Sequence, residues 1–319
     1  MSDFPKFVEF REEGPREGFQ IEKTIYPIEQ RIELLDMLSE TGLKRIQVGS
    51  FVSPQYVPQM ADTAELFKRI KRKSGVKYTA LWLNEKGFRM ALNAYKVDLD
   101  PRLLFYPSEK FAQANNNRSS AEMRETQRDW VRLYKQEGLT VDAAYVMTAF
   151  GCNLQGPIPK ERVLDDFRFV LRLCEEENIP IPILMIADTM GWGNPEAVKD
   201  MIGAVRELAP TARIGMHIHD TRGMGIANLH AALSMGVDVF ESSVAGLGGC
   251  PFAGHGHARA AGNVCTEDAV LLCHELGIET GIDLDKLVAA AQKAEEIIGA
   301  SLMGRVMHSG GLEKYRKAA

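Results

Sequence analysis

Five cysteines in 319 residues, an odd number with no CxxC pair, are too few and too scattered for a disulfide framework. Reduced thiols in a cytoplasm are the expectation. Positive charge is not in surplus either. Lys and Arg total 38 against 43 Asp and Glu, a formal net charge of −5, which leaves no electrostatic footprint for nucleic acid. No apolar run approaches the roughly 20 residues that span a bilayer. The first residues lack the basic-then-apolar pattern of a secretory signal. The last five, Tyr315 to Ala319, match neither a lipidation nor a peroxisomal tail. No Ser/Gly linker or low-complexity tract divides the chain. With 45% hydrophobic and 25% charged residues, it is not a disordered chain.

What is present is alternation. Short apolar or β-branched runs predict strands near Phe7–Phe10, Arg45–Val48, Lys77–Leu81, Leu103–Tyr106, Asp142–Met147, Ile183–Ala187, Arg213–His217 and Asp238–Ser242. Helical periodicity lies between them. One helix starts near Pro27, faces Ile28, Ile32, Leu35 and Leu38 one way, and stops at Gly42. Others are expected over Ala61–Lys73, Glu85–Tyr95, Ala121–Glu137, Glu161–Glu177, Pro195–Leu208, Met224–Met235, Thr266–Leu276 and Asp283–Ile298. Eight strands alternating with helices predict an α/β protein, a (β/α)8 TIM barrel with additional C-terminal helices. The expectation is a single catalytic domain over residues 1–319, with 283–319 as a helical extension. A doubly wound open sheet would need a glycine fingerprint after the first strand. Pro15 stands there, without the N–H that a phosphate loop requires.

In a barrel, chemistry gathers where strands end. His217 and His219 are two apart at a strand end, so their imidazoles share a face and suit a divalent metal. The bland reading is two hydrogen-bonded surface histidines. Arg16, Glu17 and Gln20 follow a Gly14-Pro15 turn after the first strand. They read as catalytic groups, with Glu17 an oxygen ligand and Arg16 an oxyanion stabiliser, or as a solvated loop. Val244 to Pro251 carries three glycines and then Cys250, which reads as a ligand-approach loop or a flexible linker. Asp188 reads as a site residue or a turn former, and Asn263 as a site residue or an N-cap before Thr266.

Taken together, six segments resemble the 3-hydroxy-3-methylglutaryl-CoA lyase branch of the metal-dependent TIM-barrel lyases. They are EEGPREGFQIEK (12–23), SFVSPQYVPQMAD (50–62), SEKFAQANNNRS (108–119), IADTMGWGNP (186–195), HIHDTRGMGIAN (217–228) and SSVAGLGGCPFAGHGHARAAGNVCTED (242–268). The resemblance implies His217, His219, Asn263 and Glu17 as ligands of a divalent metal, Mg²⁺ or Mn²⁺ first, with Co²⁺ or Zn²⁺ admitted. It implies Arg16 as stabiliser of an acetyl-CoA enolate and Cys250 as the proton-transfer cysteine. Gln20, Lys23, Asn115 and Asp188 are implied to contact substrate or CoA. The implied reaction cleaves a 3-hydroxy-3-alkyl acyl-CoA to acetyl-CoA and a keto acid, with a homodimer as the default assembly. An aldolase, a condensing enzyme and a non-catalytic CoA- or metal-binding descendant are the alternatives.

Three departures from that pattern stand out. Glu17 occupies the place of an aspartate, which displaces a carboxylate by roughly an ångström. Gln47 replaces a glutamate and cannot act as a base. Twelve residues separate Cys250 from Asn263, about four more than the pattern leads one to expect, and they bring His255, His257 and Arg259. The expectation is the same reaction on a different acyl group, such as a citramalyl-CoA-like or longer branched thioester.

Overall fold

The structure, a computed structural model, describes residues 4–249 and 262–316. These divide into two compact units. One is built mainly of Asp100–Phe240, the other of Lys6–Leu99 with 241–249 and 262–316. The fold class is α/β, a (β/α)8 TIM barrel with further helices after the last strand, in agreement with the sequence pattern.

The unit containing the N-terminal half carries β1 (Glu9–Glu12), β2 (Arg45–Ser50) and β3 (Lys77–Leu81), paired in parallel. Arg11 pairs with Arg45 and Glu12 with Ile46, and Gln47 pairs with Thr79. All six residues of β2 are buried, as a parallel strand covered on both faces requires. The other unit carries β4 (Arg102–Phe105), β5 (Ala143–Val146), β6 (Ile183–Asp188) and β7 (Ile214–Ile218), again parallel. Its core includes Ala143, Tyr145, Met185 and Val239, with Leu104, Met147 and Ile183 packed against them. The last strand, β8 (Val239–Ser242), is buried throughout.

Helix ends follow their sequence signals. Pro195 opens Pro195–Leu208, and Asn194 accepts from the backbone N–H groups of Glu196 and Ala197 at 3.1 and 3.0 Å. Ser119 and Glu122 close a capping box on Ser120–Gln136. Asp283 caps Leu284–Ile298.

Three expectations need correction. The first strand runs Glu9–Glu12, two residues later than predicted, because its end buries charge: Arg11 is paired to Glu9 at 2.9 Å. An apolar-run reading stops before such residues. The turn and loop expected at 14–20 is a helix, Gly14–Gln20, with Pro15 in its first turn. Seven residues are too few to display a helical period. The helix Glu109–Asn116 was not anticipated for the same reason; Ser108 caps it by accepting from Phe111 N at 3.2 Å.

Candidate active site

In the 100–240 unit, polar groups collect at the ends of β6 and β7. Asp188 ends β6 and is buried. Its two oxygens accept from the N–H groups of Trp192 at 2.8 Å and Gly193 at 2.9 Å. A Cβ on Gly193 would lie 2.9 Å from Asp188 Oδ2, so glycine is needed for that approach. Burial pushes the Asp188 carboxyl above its ordinary value, against the pull of those two N–H donors and of His219 and His217. Asp188 is thus a turn former at a strand end, as one sequence reading had it.

His217 lies in β7 and His219 just beyond it. Both are buried, not surface histidines. Their Nε2 atoms stand 2.9 Å apart and their ring centroids 4.9 Å. Two imidazole nitrogens so close can share one proton or face one cation. Asn115 lies exposed on the helix 109–116.

In the other unit, the helix 14–20 presents Arg16 and Glu17 on successive positions. Arg16 Nε donates to Gln47 Oε1, and its Nη2 donates to Glu13 at 2.9 Å and to Glu17 Oε2 at 3.3 Å. The Asn263 amide donates to Glu17 Oε2 at 3.1 Å and to Ser243 Oγ at 3.3 Å. Its Oδ1 is buried and has no hydrogen-bond partner among the described residues. Asn263 is not an N-cap, because Cys265 occupies that position before Thr266. Gln20 accepts from Ser50 Oγ at 3.1 Å, and Lys23 is exposed.

The glycine segment is packed rather than loose up to Gly249. A Cβ on Gly18 would meet Leu247 at 2.7 Å, and one on Gly248 would meet Glu17 Cγ at 3.0 Å. Cys250, His255, His257 and Arg259 lie outside the described residues. The described cysteines, Cys152, Cys174, Cys265 and Cys273, are buried free thiols. Burial pushes Cys174 up to about 11 and Cys273 up to about 12, which suits packing rather than reactivity.

Three buried acids escaped the sequence reading. Glu12 accepts from Gly14 N and Val244 N, each at 2.8 Å, and from Thr266 Oγ1 at 2.6 Å. Burial raises it to about 7. Glu267 accepts from Ala245 N at 3.0 Å, and burial raises it to about 8. Ala245 itself has φ of 57°, so its backbone is held in a conformation an L-residue avoids. Glu13 is the third, paired with Arg16. The only sequence signal for the Glu12-Glu13 pair is its place directly before Gly14-Pro15.

His217 and His219 are two buried imidazole donors in the 100–240 unit, and Glu17 is a buried carboxylate donor in the other. One carboxylate oxygen and two imidazoles suit a borderline or hard divalent cation. The family described as HMGL-like matches residues 8–293. The chain belongs to the HMGL-like family. This HMGL-like chain is 41% identical over 291 residues to the mitochondrial hydroxymethylglutaryl-CoA lyase of Bos taurus, covering 91% of the chain and 85% of that relative. The crystal structure of hydroxymethylglutaryl-CoA lyase from Pseudomonas aeruginosa superposes with a TM-score of 0.86 at 36% identity, over 99% of this chain and 100% of that one. The HMG-CoA lyase of Acinetobacter baumannii, solved with coenzyme A and 3-methylmalate, gives 0.84 at 34%, over 98% and 97%.

Proposed function

We propose that the chain is a metal-dependent carbon–carbon lyase that cleaves a 3-hydroxy-3-alkyl acyl-CoA to acetyl-CoA and a keto acid. The observation that carries the reading is the Asn263 side chain, which bonds Glu17 and has a buried carbonyl oxygen with no hydrogen-bond partner among the described residues. A buried acceptor in that state costs about 1–3 kcal/mol, so the fold keeps it for something that binds there. Glu17, His217, His219 and Asn263 would hold the metal, with Mg²⁺ or Mn²⁺ first among the candidates. When bound, such an ion supplies a Lewis acid that polarises a substrate oxygen and lowers a hydroxyl pKa.

The chain's own residues do the rest. Arg16, always charged, stabilises the enolate oxygen of departing acetyl-CoA. Cys250 moves a proton at the enolate carbon, and the glycine-rich loop before it brings the thiol within reach and excludes water. Asp188 braces the turn beside the histidines. Gln20, Lys23 and Asn115 contact the acyl-CoA. Glu17 and Gln47 point to an acyl group other than methylglutaryl, within the citramalyl-CoA-like or longer branched class. We assign the protein to the cytoplasm as a homodimer, and residues 1–319 to one catalytic domain with 283–319 as its extension. No helix among the described residues is long and apolar enough to cross a membrane.

The test is acetyl-CoA release with Mg²⁺ or Mn²⁺ over a panel of 3-hydroxy-3-alkyl acyl-CoA thioesters, methylglutaryl included, with Cys250→Ala alongside. One thioester cleaved, and cleavage lost in the variant, is the expected result. Turnover that survives Cys250→Ala removes the thiol from the mechanism. Robust cleavage of the methylglutaryl thioester removes the sub-family assignment.

A further inference from the structure

The Arg16 side chain is 12% exposed and that of Glu13 is 1% exposed. A guanidinium so far from water needs its charge matched as well as its N–H groups satisfied. Gln47 satisfies Nε but brings no charge, and its own Nε2 is buried with no partner among the described residues. Glu17 brings charge, yet its Oε2 stands 3.3 Å from Arg16 and is shared with Asn263. Glu13 makes the closer contact, at 2.9 Å.

The Arg16 contacts explain how two positions compete for this work. The strand pairing ends with Glu12 and Ile46, and Glu13 turns into the N-cap of the helix 14–20. From there Glu13 bonds Arg16 Nη2 while Gln47 bonds Arg16 Nε, so a carboxylate at either position reaches the same guanidinium. Both positions together would set like charges against each other.

We propose that Glu13 is the positioning carboxylate of Arg16, and that position 47 is neutral because Glu13 carries the charge beside that guanidinium. Glu13 holds the guanidinium against Gln47 and leaves Glu17 the longer of the two carboxylate contacts, 3.3 Å against 2.9 Å. This rests on the lyase reading for Arg16's role but not for the pairing itself.

The experiment compares wild type, Glu13→Gln, Gln47→Glu and the double variant by kcat and KM on the thioester that the panel identifies. Mn²⁺ affinity and Tm are measured on the same proteins. Glu13→Gln is expected to lower kcat by about 10²-fold, the cost of an ångström-scale misplacement, with KM changed far less. Its Mn²⁺ affinity is expected to fall as Arg16 turns to Glu17. Gln47→Glu alone is expected to lower Tm by about 2 °C or more. In the Glu13→Gln background the same change is expected to raise Tm and restore most of kcat. That reversal of sign is what a merely structural glutamate would not give. If Gln47→Glu acts alike in both backgrounds, the proposal is overturned. If Glu13→Gln does not fold, recovery of folding in the double variant supports the proposal and its failure overturns it. A wild type that cleaves no thioester ends the lyase reading alone, because the sign reversal in Tm is still read.

Discussion

Asn263 gives its amide N–H to Glu17 Oε2 at 3.1 Å while its carbonyl oxygen, equally buried, bonds none of the described residues. One end of the side chain thus orients the candidate ligand Glu17, and the other is itself a candidate ligand. The arrangement predicts that Asn263→Ala loses on both counts. Mn²⁺ affinity, followed by electron paramagnetic resonance titration, is expected to drop by at least 10- to 100-fold, the range seen when only an orienting partner is removed. Asn263→Asp, which keeps an oxygen at the end of the side chain, is expected to lose less. Equal affinity in wild type and Asn263→Ala would exclude residue 263 from the metal site.

Gly248 has φ of +103°, and a Cβ there would lie 3.0 Å from Glu17 Cγ. Gly248→Ala therefore meets two penalties, a backbone conformation that costs an L-residue about 1–2 kcal/mol and a contact that pushes Glu17. Activity is expected to fall by more than the loss in stability accounts for, because the added methyl displaces Glu17. Gly75 has positive φ with no atom within 4 Å of a Cβ, so Gly75→Ala is the control for backbone strain alone. Equal activity in the two variants would show that the Glu17 contact is immaterial.

The buried acids Glu12 and Glu267 set a pH dependence of known sign. Their ordinary value is 4.5, and burial raises them to about 7 and about 8. The folded chain therefore binds protons that the unfolded chain has released. Stability from this source is complete below pH 4.5 and is lost as pH rises through 7 to 8. Tm is expected to decline across that window. Glu267→Gln, which keeps an oxygen for Ala245 N but cannot ionise, is expected to flatten the decline. A slope identical to wild type would mean that Glu267 does not titrate there.

The barrel class was legible because it rests on repetition. Eight runs recur at even spacing, and an error of two residues in any of them leaves the count intact. Helix Pro195–Leu208 was legible to the residue, since Asn194 and Pro195 mark its start in the chain itself. The HxH pair and Asn263 were visible as types, but their burial was not. Nothing in the spacing of His217 and His219 distinguishes two surface imidazoles from two buried ones 2.9 Å apart. Glu12, Glu13 and Glu267 stayed hidden for the opposite reason. Acids read as solvent-facing, and only tertiary partners such as Val244 N and Arg16 reveal them as interior groups. The helix 14–20 was hidden by brevity.

Glu12 receives N–H groups from Gly14 and from Val244, which are 230 positions apart in the chain. On a ribosome, the first of these partners emerges long before the second. Until then the Glu12 carboxylate has one of its backbone donors and no Thr266, and near neutral pH an early chain leaves it ionised in water. The second unit is discontinuous in sequence, so its polar interior closes only after the 100–240 segment has been made. Folding of that unit is therefore timed by synthesis of the segment that carries Val244 and Thr266, and a chain that stops before Val244 is expected to leave the unit's buried carboxylate open to water.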